Sequence, residues 1–257
     1  MRLNVLGRLC VTCWTVAILV GAGLLEPTAA TAAVPYLVKD IYPGTTGSLT
    51  LDFTRPDGDQ WLYFEADDGV HGSELWVSDG TEAGTYMVLD FEPGQVGGEP
   101  EVLPCANEMA FFLIFRELGR ADLFRSDGTA SGTQYLNAYM PYYGDALGID
   151  NILYFVGADP GNHYNDELWK SDGTIEGTLR VKDILPGPNG SGPWLFTEVN
   201  GLLYFSTGSG LWKSDGTDAG TILVGPGVHA FELANVNGKV FLEGTTIQGT
   251  PQTGNCG

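Results

Sequence analysis

Four aspartates, Asp79, Asp127, Asp172 and Asp215, stand in the same setting, Ser-Asp-Gly-Thr, at intervals of 48, 45 and 43 residues. A carboxylate in that setting has two uses. It accepts hydrogen bonds from the amides of a tight turn in which glycine supplies a positive φ and threonine restarts a strand. Alternatively it is an oxygen ligand for calcium, which takes about six to eight such oxygens from a defined loop. No Asp-x-Asp-x-Asp-Gly series is present, so the four are read as turn aspartates and no cofactor is assigned. Calcium is kept as the alternative, with Asp67, Asp68, Glu74 and Asp79 as its donors, because carboxylates are densest there.

Other reactive side chains carry less. His71 and His163 fall at similar places before two Leu-Trp pairs and His229 is isolated, but none has a Cys or His at ligand spacing, so all three are assigned to loops or packing rather than zinc. A Gly-x-Ser-x-Gly elbow is absent, which removes the usual signature of a hydrolytic triad. The acidic residues are too many to single out a glycosidase pair. The chain is therefore read as a non-enzyme, with a carbohydrate-active hydrolase as the alternative. For recognition, sugars and peptides stack on exposed aromatic rings. Tyr139, Tyr142 and Tyr143 in an irregular stretch, and Trp194 beside Gly-Pro, are the candidates, read as exposed loop aromatics.

The elements that position these residues come from a repeat. Leu75-Trp76-Val77-Ser78-Asp79-Gly80-Thr81 returns at Leu123, Leu168 and Leu211, each time followed two residues later by a second Gly-Thr. The period is that of a four-stranded propeller blade. Within it, short aromatic and β-branched runs alternate with Gly, Asp, Asn and Pro clusters, and no segment holds a helical period. A first strand reads Trp61 to Phe64, a second carries the Leu-Trp pair, a third follows the Gly-Thr, and a weaker fourth, such as Leu195 to Val199, precedes the next unit. The predicted fold is all-β, a β-propeller of about five four-stranded blades. Val38-Lys39-Asp40-Ile41 repeats as Val181-Lys182-Asp183-Ile184, so the N-terminal region begins at a third strand. The last unit ends after a first strand at Val240 to Glu243. Pairing of these N- and C-terminal half-repeats is expected to close the ring and remove exposed edges.

Glu74-Leu75-Trp76-Val77-Ser78-Asp79-Gly80-Thr81 and Glu167-Leu168-Trp169-Lys170-Ser171-Asp172-Gly173-Thr174 resemble the ELWxxDGT repeat family of exported bacterial proteins, also labelled hyalin-like. The resemblance runs from about Val38 to Val240. It implies a secreted or surface-displayed propeller-like array and brings no catalytic residues with it. Unit two departs from the pattern with Asp122 for the glutamate, Phe124 for the tryptophan and Asn137-Ala138-Tyr139 for Lys-Asp-Ile; unit four has Gly210 at the glutamate position.

Residues 1–33 read as a secretory signal peptide, with Arg2 and Arg8 before the apolar run Val16 to Val20 and small residues through Ala33. Residues 34–257 are then one domain, exported to the cell surface or beyond. Removing Arg2, Arg8 and Glu26 from 12 basic and 32 acidic residues leaves 10 against 31, a net charge of −21. That charge repels nucleic acid and anionic membranes, and no later segment has the roughly 20 apolar residues of a membrane span. The expected partner is an extracellular protein or glycan. Cys105 and Cys256, the cysteines left after cleavage, are a disulfide candidate in an oxidising compartment.

Overall fold

The computed structural model describes residues 34–256 apart from 46, 49–52, 57–60, 95–96, 107–108, 117–119, 142–143, 160–161, 163 and 247–250. For Arg116, Arg120, Pro141 and residues 251–256 it describes the backbone only. The signal peptide at 1–33, Tyr142, Tyr143, His163 and the side chain of Cys256 therefore lie outside the described residues.

The described residues are all-β and fold into five antiparallel sheets in sequence order, four of four strands and one of three. The first is β1 (Phe53–Thr54), β2 (Leu62–Asp67), β3 (Ser73–Ser78) and β4 (Tyr86–Leu89); the second is β5 (Glu101–Val102), β6 (Ala110–Arg116), β7 (Arg120–Ser126) and β8 (Gln134–Pro141). The third holds β9 (Ala146–Ile149), β10 (Ile152–Gly157), β11 (Glu167–Ser171) and β12 (Leu179–Lys182), and the fourth β13 (Trp194–Val199), β14 (Leu202–Thr207), β15 (Gly210–Ser214) and β16 (Ile222–Pro226). β17 (Val228–Val236), β18 (Lys239–Thr246) and β19 (Pro251–Cys256) make the last. Each four-stranded sheet is an up-and-down meander, the form of a propeller blade.

The sheets stack face to face. Tyr63, Leu75 and Val77 of the first pack with Ala110, Phe112 and Ile114 of the second. Phe111, Leu123 and Met140 of the second meet Leu153, Phe155 and Trp169 of the third, and Tyr154 and Leu168 of the third meet Leu203 and Phe205 of the fourth. This explains why β3 is buried from Glu74 to Ser78 without alternation: a blade has a neighbour on both faces, so both sets of side chains leave water, each large one contributing about 1.5–3 kcal/mol. In the first, third and fourth sheets the pairing register shifts at the Leu-Trp step, and in the second it shifts between Asp122 and Phe124. At that step the fourth strand of each of the first four sheets carries extra residues opposite the third, a bulge that bends this outer strand.

One expectation changes. The weak strand before each unit belongs to the following sheet, because Asn200-Gly201, with φ of +54° and +76°, folds β13 back onto β14. Asn237-Gly238 does the same for β17 and β18. Such left-handed pairs match the twist of a two-residue hairpin. Pairing of the N-terminal half-repeat with Val240 to Glu243 is not among the strand pairings of the described residues. The third strand of the last sheet is β19, from 251–256, and Val38–Ile41 lies instead against the first sheet. There Ile41 packs on Phe64, Ala66 and Trp76. Lys39 Nζ stands 5.9 Å from the Trp76 ring centroid and donates to the Thr85 carbonyl at 2.6 Å.

Candidate functional site

The meander sorts the connections onto two ends. One end carries the two-residue hairpins and the four Ser-Asp-Gly-Thr turns; the other carries the connections from second to third strand and from sheet to sheet.

At the turn end the four repeats form the same hydrogen-bonded knot. In unit one Asp79 Oδ1 accepts from the Thr81 amide at 2.8 Å and from Thr81 Oγ1 at 2.7 Å. Thr81 Oγ1 in turn accepts from the Gly84 amide at 2.9 Å, and Thr85 Oγ1 donates to the Thr81 carbonyl at 2.7 Å. Ser78 Oγ lies 2.7 Å from Thr85 Oγ1 and accepts from the Gly80 amide. Asp127, Asp172 and Asp215 repeat the pattern with Thr129, Thr174 and Thr217. The first glycine is required by its φ, +83° to +90° in the four units. The second is required by space: a methyl at Gly84, Gly132, Gly177 or Gly220 would overlap the aspartate carboxylate. The threonine hydroxyl and then the threonine amide hold Asp79, Asp172 and Asp215 below the ordinary carboxylate range, and Thr129 does the same for Asp127.

At the other end the glutamates of the repeat are consumed differently. Glu74 and Glu167 are both 0% exposed. Glu74 accepts from the amides of Phe91, Glu92 and Gly98 at 3.2, 3.4 and 3.0 Å. Glu167 accepts from the amides of Leu185 and Ser191 at 3.0 and 3.1 Å and from the Ser191 hydroxyl. Each carboxylate therefore braces the long connection that leaves its blade. Burial pushes Glu74 up to about 7 against the pull of its three amides, with Asp90 adding to the rise. Where the glutamate is missing, the connection is short: Gly210 has φ +136°, a methyl there would strike the Gly225 carbonyl, and only Gly227 separates β16 from β17.

The candidate calcium donors are dispersed. Asp67 Oδ1 accepts from the Gly69 amide at 2.7 Å, and Asp68 from the Val70 and His71 amides at 2.9 Å each and from the His71 ring at 2.7 Å. Glu74 faces its loop, while Asp79 lies beyond the opposite end of β3, about 16 Å away at about 3.3 Å per residue. Among the described residues no group of three or more His, Cys, Asp or Glu is placed to hold a metal ion. The Asp68 hydrogen bond raises the pKa of His71.

The aromatic candidates also move. Tyr139 lies in β8 and Trp194 opens β13, both half-buried strand residues rather than exposed loop residues. Tyr139 sits 6.4 Å from the Tyr135 ring, and Trp194 pairs with Ser206. Among the described residues, Tyr164 in the β10–β11 loop is an aromatic exposed at the variable end, at 79%. Val70 in the matching β2–β3 loop and Leu185 in the loop braced by Glu167 are exposed beside it in kind. The signal that could have found Tyr164 is length: Ala158–Asp166 is a longer insertion than the Gly208-Ser209 turn at the same place in unit four. His229 is a half-buried residue of β17. Cys105 Sγ lies 3.0 Å from Thr54 Oγ1. Among the described residues no helix is long and apolar enough to cross a membrane.

No family model matches the chain and no curated protein matches it. Among solved structures, a puromycin hydrolase mutant complexed with PGG matches 87% of the chain with a TM-score of 0.49 and 14% identity. Oligopeptidase B from Leishmania major matches 78% with a TM-score of 0.48 and 12% identity. The β-propeller domain of the trilobed protease from Pyrococcus furiosus, described as having an open velcro topology, matches 79% of this chain and 80% of its own, with a TM-score of 0.33 and 12% identity. The chain spans 40% of the length of the first and 30% of the second.

Proposed function

We propose that this chain is an exported, non-enzymatic member of the ELWxxDGT repeat family that binds an extracellular protein or glycan through its variable end. The supporting observation is the division of labour between the ends. The repeated carboxylates accept hydrogen bonds from internal donors: Asp79, Asp127, Asp172 and Asp215 from their threonines, and Glu74 and Glu167 from loop amides. Length and sequence vary in the connections at the other end, where Val70 in the β2–β3 loop, Tyr164 in the β10–β11 loop and Leu185 in the connection braced by Glu167 face solvent. Binding residues are typically held on loops by a rigid scaffold, and an exposed tyrosine offers both a ring and a hydroxyl.

The test is a glycan and cell-wall panel probed with the protein from residue 34 onward, alongside Tyr164→Ala and Val70→Ser. Retention of a ligand by the parent and its loss in either variant, with the thermal midpoint unchanged, supports the reading. Hydrolysis of a panel glycan, or binding that both variants leave untouched, overturns it.

A further inference from the structure

The turn knots are also docking points between blades. Tyr63 of β2 covers Gly128 of the next unit, its hydroxyl 3.3 Å from where a methyl would stand, and Tyr154 of β10 covers Gly216 in the same way. Met109, just before β6, takes this place against Gly173. Gly128, Gly173 and Gly216 are accordingly buried. Gly80, the same residue of the first unit, is only half-buried and has nothing within 4 Å of the methyl position.

A ring in the matching position is exposed elsewhere in the chain. Tyr154 is the third residue after its hairpin turn at Asp150-Asn151, and Phe241 is the third after Asn237-Gly238. Phe241 points away from the face of β18 that carries buried Val240 and Leu242, and is 41% exposed. Ala234, its direct partner on β17, is exposed on the same face.

The N-terminal segment supplies a third, independent observation. Tyr36 donates to the Gly80 carbonyl at 3.3 Å, as Tyr86 of the first blade donates to the Gly128 carbonyl at 3.2 Å. Lys39 reaches the first unit's turn at the Thr85 carbonyl, as Lys182 of the third blade reaches the fourth unit's turn at the Asp218 carbonyl. Residues 36–41 thus occupy, against the first sheet, the place of the outermost strand of a preceding blade.

We infer that the Phe241 face of the last sheet docks on the Gly80 turn of the first sheet within the same chain, beside Tyr36 and Lys39, repeating the contact that joins the other blades. The occupant is the same chain because four consecutive sheets already stack in order toward this face and 36–41 already holds the adjoining position. An intramolecular partner at an effective concentration near millimolar prevails over a second copy in dilute solution.

Photo-crosslinking tests it. Phe241 is replaced by p-benzoylphenylalanine, with Phe231, 64% exposed and on the β17 bulge, replaced likewise as control. Irradiation of the monomer should link position 241, and not 231, to the 78–85 turn of its own chain. In parallel, Phe241→Ala should lower the thermal midpoint by several degrees at any protein concentration, and Phe231→Ala should not. Crosslinks between chains, crosslinks that avoid residues 78–85, or an unchanged midpoint in Phe241→Ala would each overturn the inference.

Discussion

Raising the pH should loosen this protein through one side chain, Glu74. Its carboxyl has an ordinary value of 4.5 and is pushed by burial to about 7 in the folded chain. A raised carboxyl binds its proton more tightly folded than unfolded, so its contribution to stability is greatest below about pH 4.5 and is lost as pH climbs toward 7. The gap of about 2.5 pK at 1.36 kcal/mol each caps the effect at about 3.4 kcal/mol, of which about 2.5 kcal/mol falls between pH 5 and pH 8. Glu74→Gln keeps an acceptor for the loop amides and has no proton to lose. The Asp68 hydrogen bond raises the pKa of His71, with a smaller contribution from Glu74 itself, so His71→Asn is carried in both backgrounds to remove that titration from the comparison. Urea unfolding of both proteins at pH 5, 6, 7 and 8 is the assay. Relative to the parent, the variant should gain about 2.5 kcal/mol across the range, about a 1 M shift in midpoint for a slope near 2 to 3 kcal/mol per molar. A difference that stays constant with pH would refute the reasoning, and would mean that the amides of Phe91, Glu92 and Gly98 hold the carboxylate ionised despite its burial.

Three further outcomes are expected. Glu167→Ala strips the acceptor from the Leu185 and Ser191 amides and should cost about 2–5 kcal/mol by chemical denaturation, while Glu167→Gln should cost less than half of that. Asp172→Ala and Gly177→Ala disturb one contact from its two sides, so the double variant should cost little more than Gly177→Ala alone; full additivity in thermal melts would show that the carboxylate does not fill the space beside Gly177. Acid should unfold the chain through the turn aspartates: their lowered folded pKa contributes stability that is present above about pH 4 and lost below it. That acid midpoint should be insensitive to calcium, and a calcium-dependent shift abolished by Asp79→Ala would restore the metal reading.

The strands were legible where local chemistry decides them. Aromatic and β-branched runs such as Leu153-Tyr154-Phe155 and the Leu-Trp pairs fall inside β10, β3, β11 and β15. Grouping into sheets was harder, because it depends on which turn folds back. The Asn-Gly pairs at 200 and 237 carried that signal and assign the weak strand to the next blade. The glutamate's role was not readable from the motif, since its acceptor work spans 17 to 24 residues to amides that carry no side-chain signature. Tyr139 was misplaced for a related reason: Asn137, at φ +54°, kinks β8 without ending it, so an irregular sequence remains a strand.

The coupling between Glu74 or Glu167 and its loop makes a two-part cassette. A long connection can be transplanted into another blade only with its buried carboxylate, and a glutamate placed at Gly210 without a longer connection meets the Gly225 carbonyl. The opposite end imposes no such condition, because its knots are closed within eight residues. The array can therefore be given new surface loops one blade at a time while its registration from blade to blade stays fixed, which makes it a modular scaffold whose grafting rules are written in two glutamates.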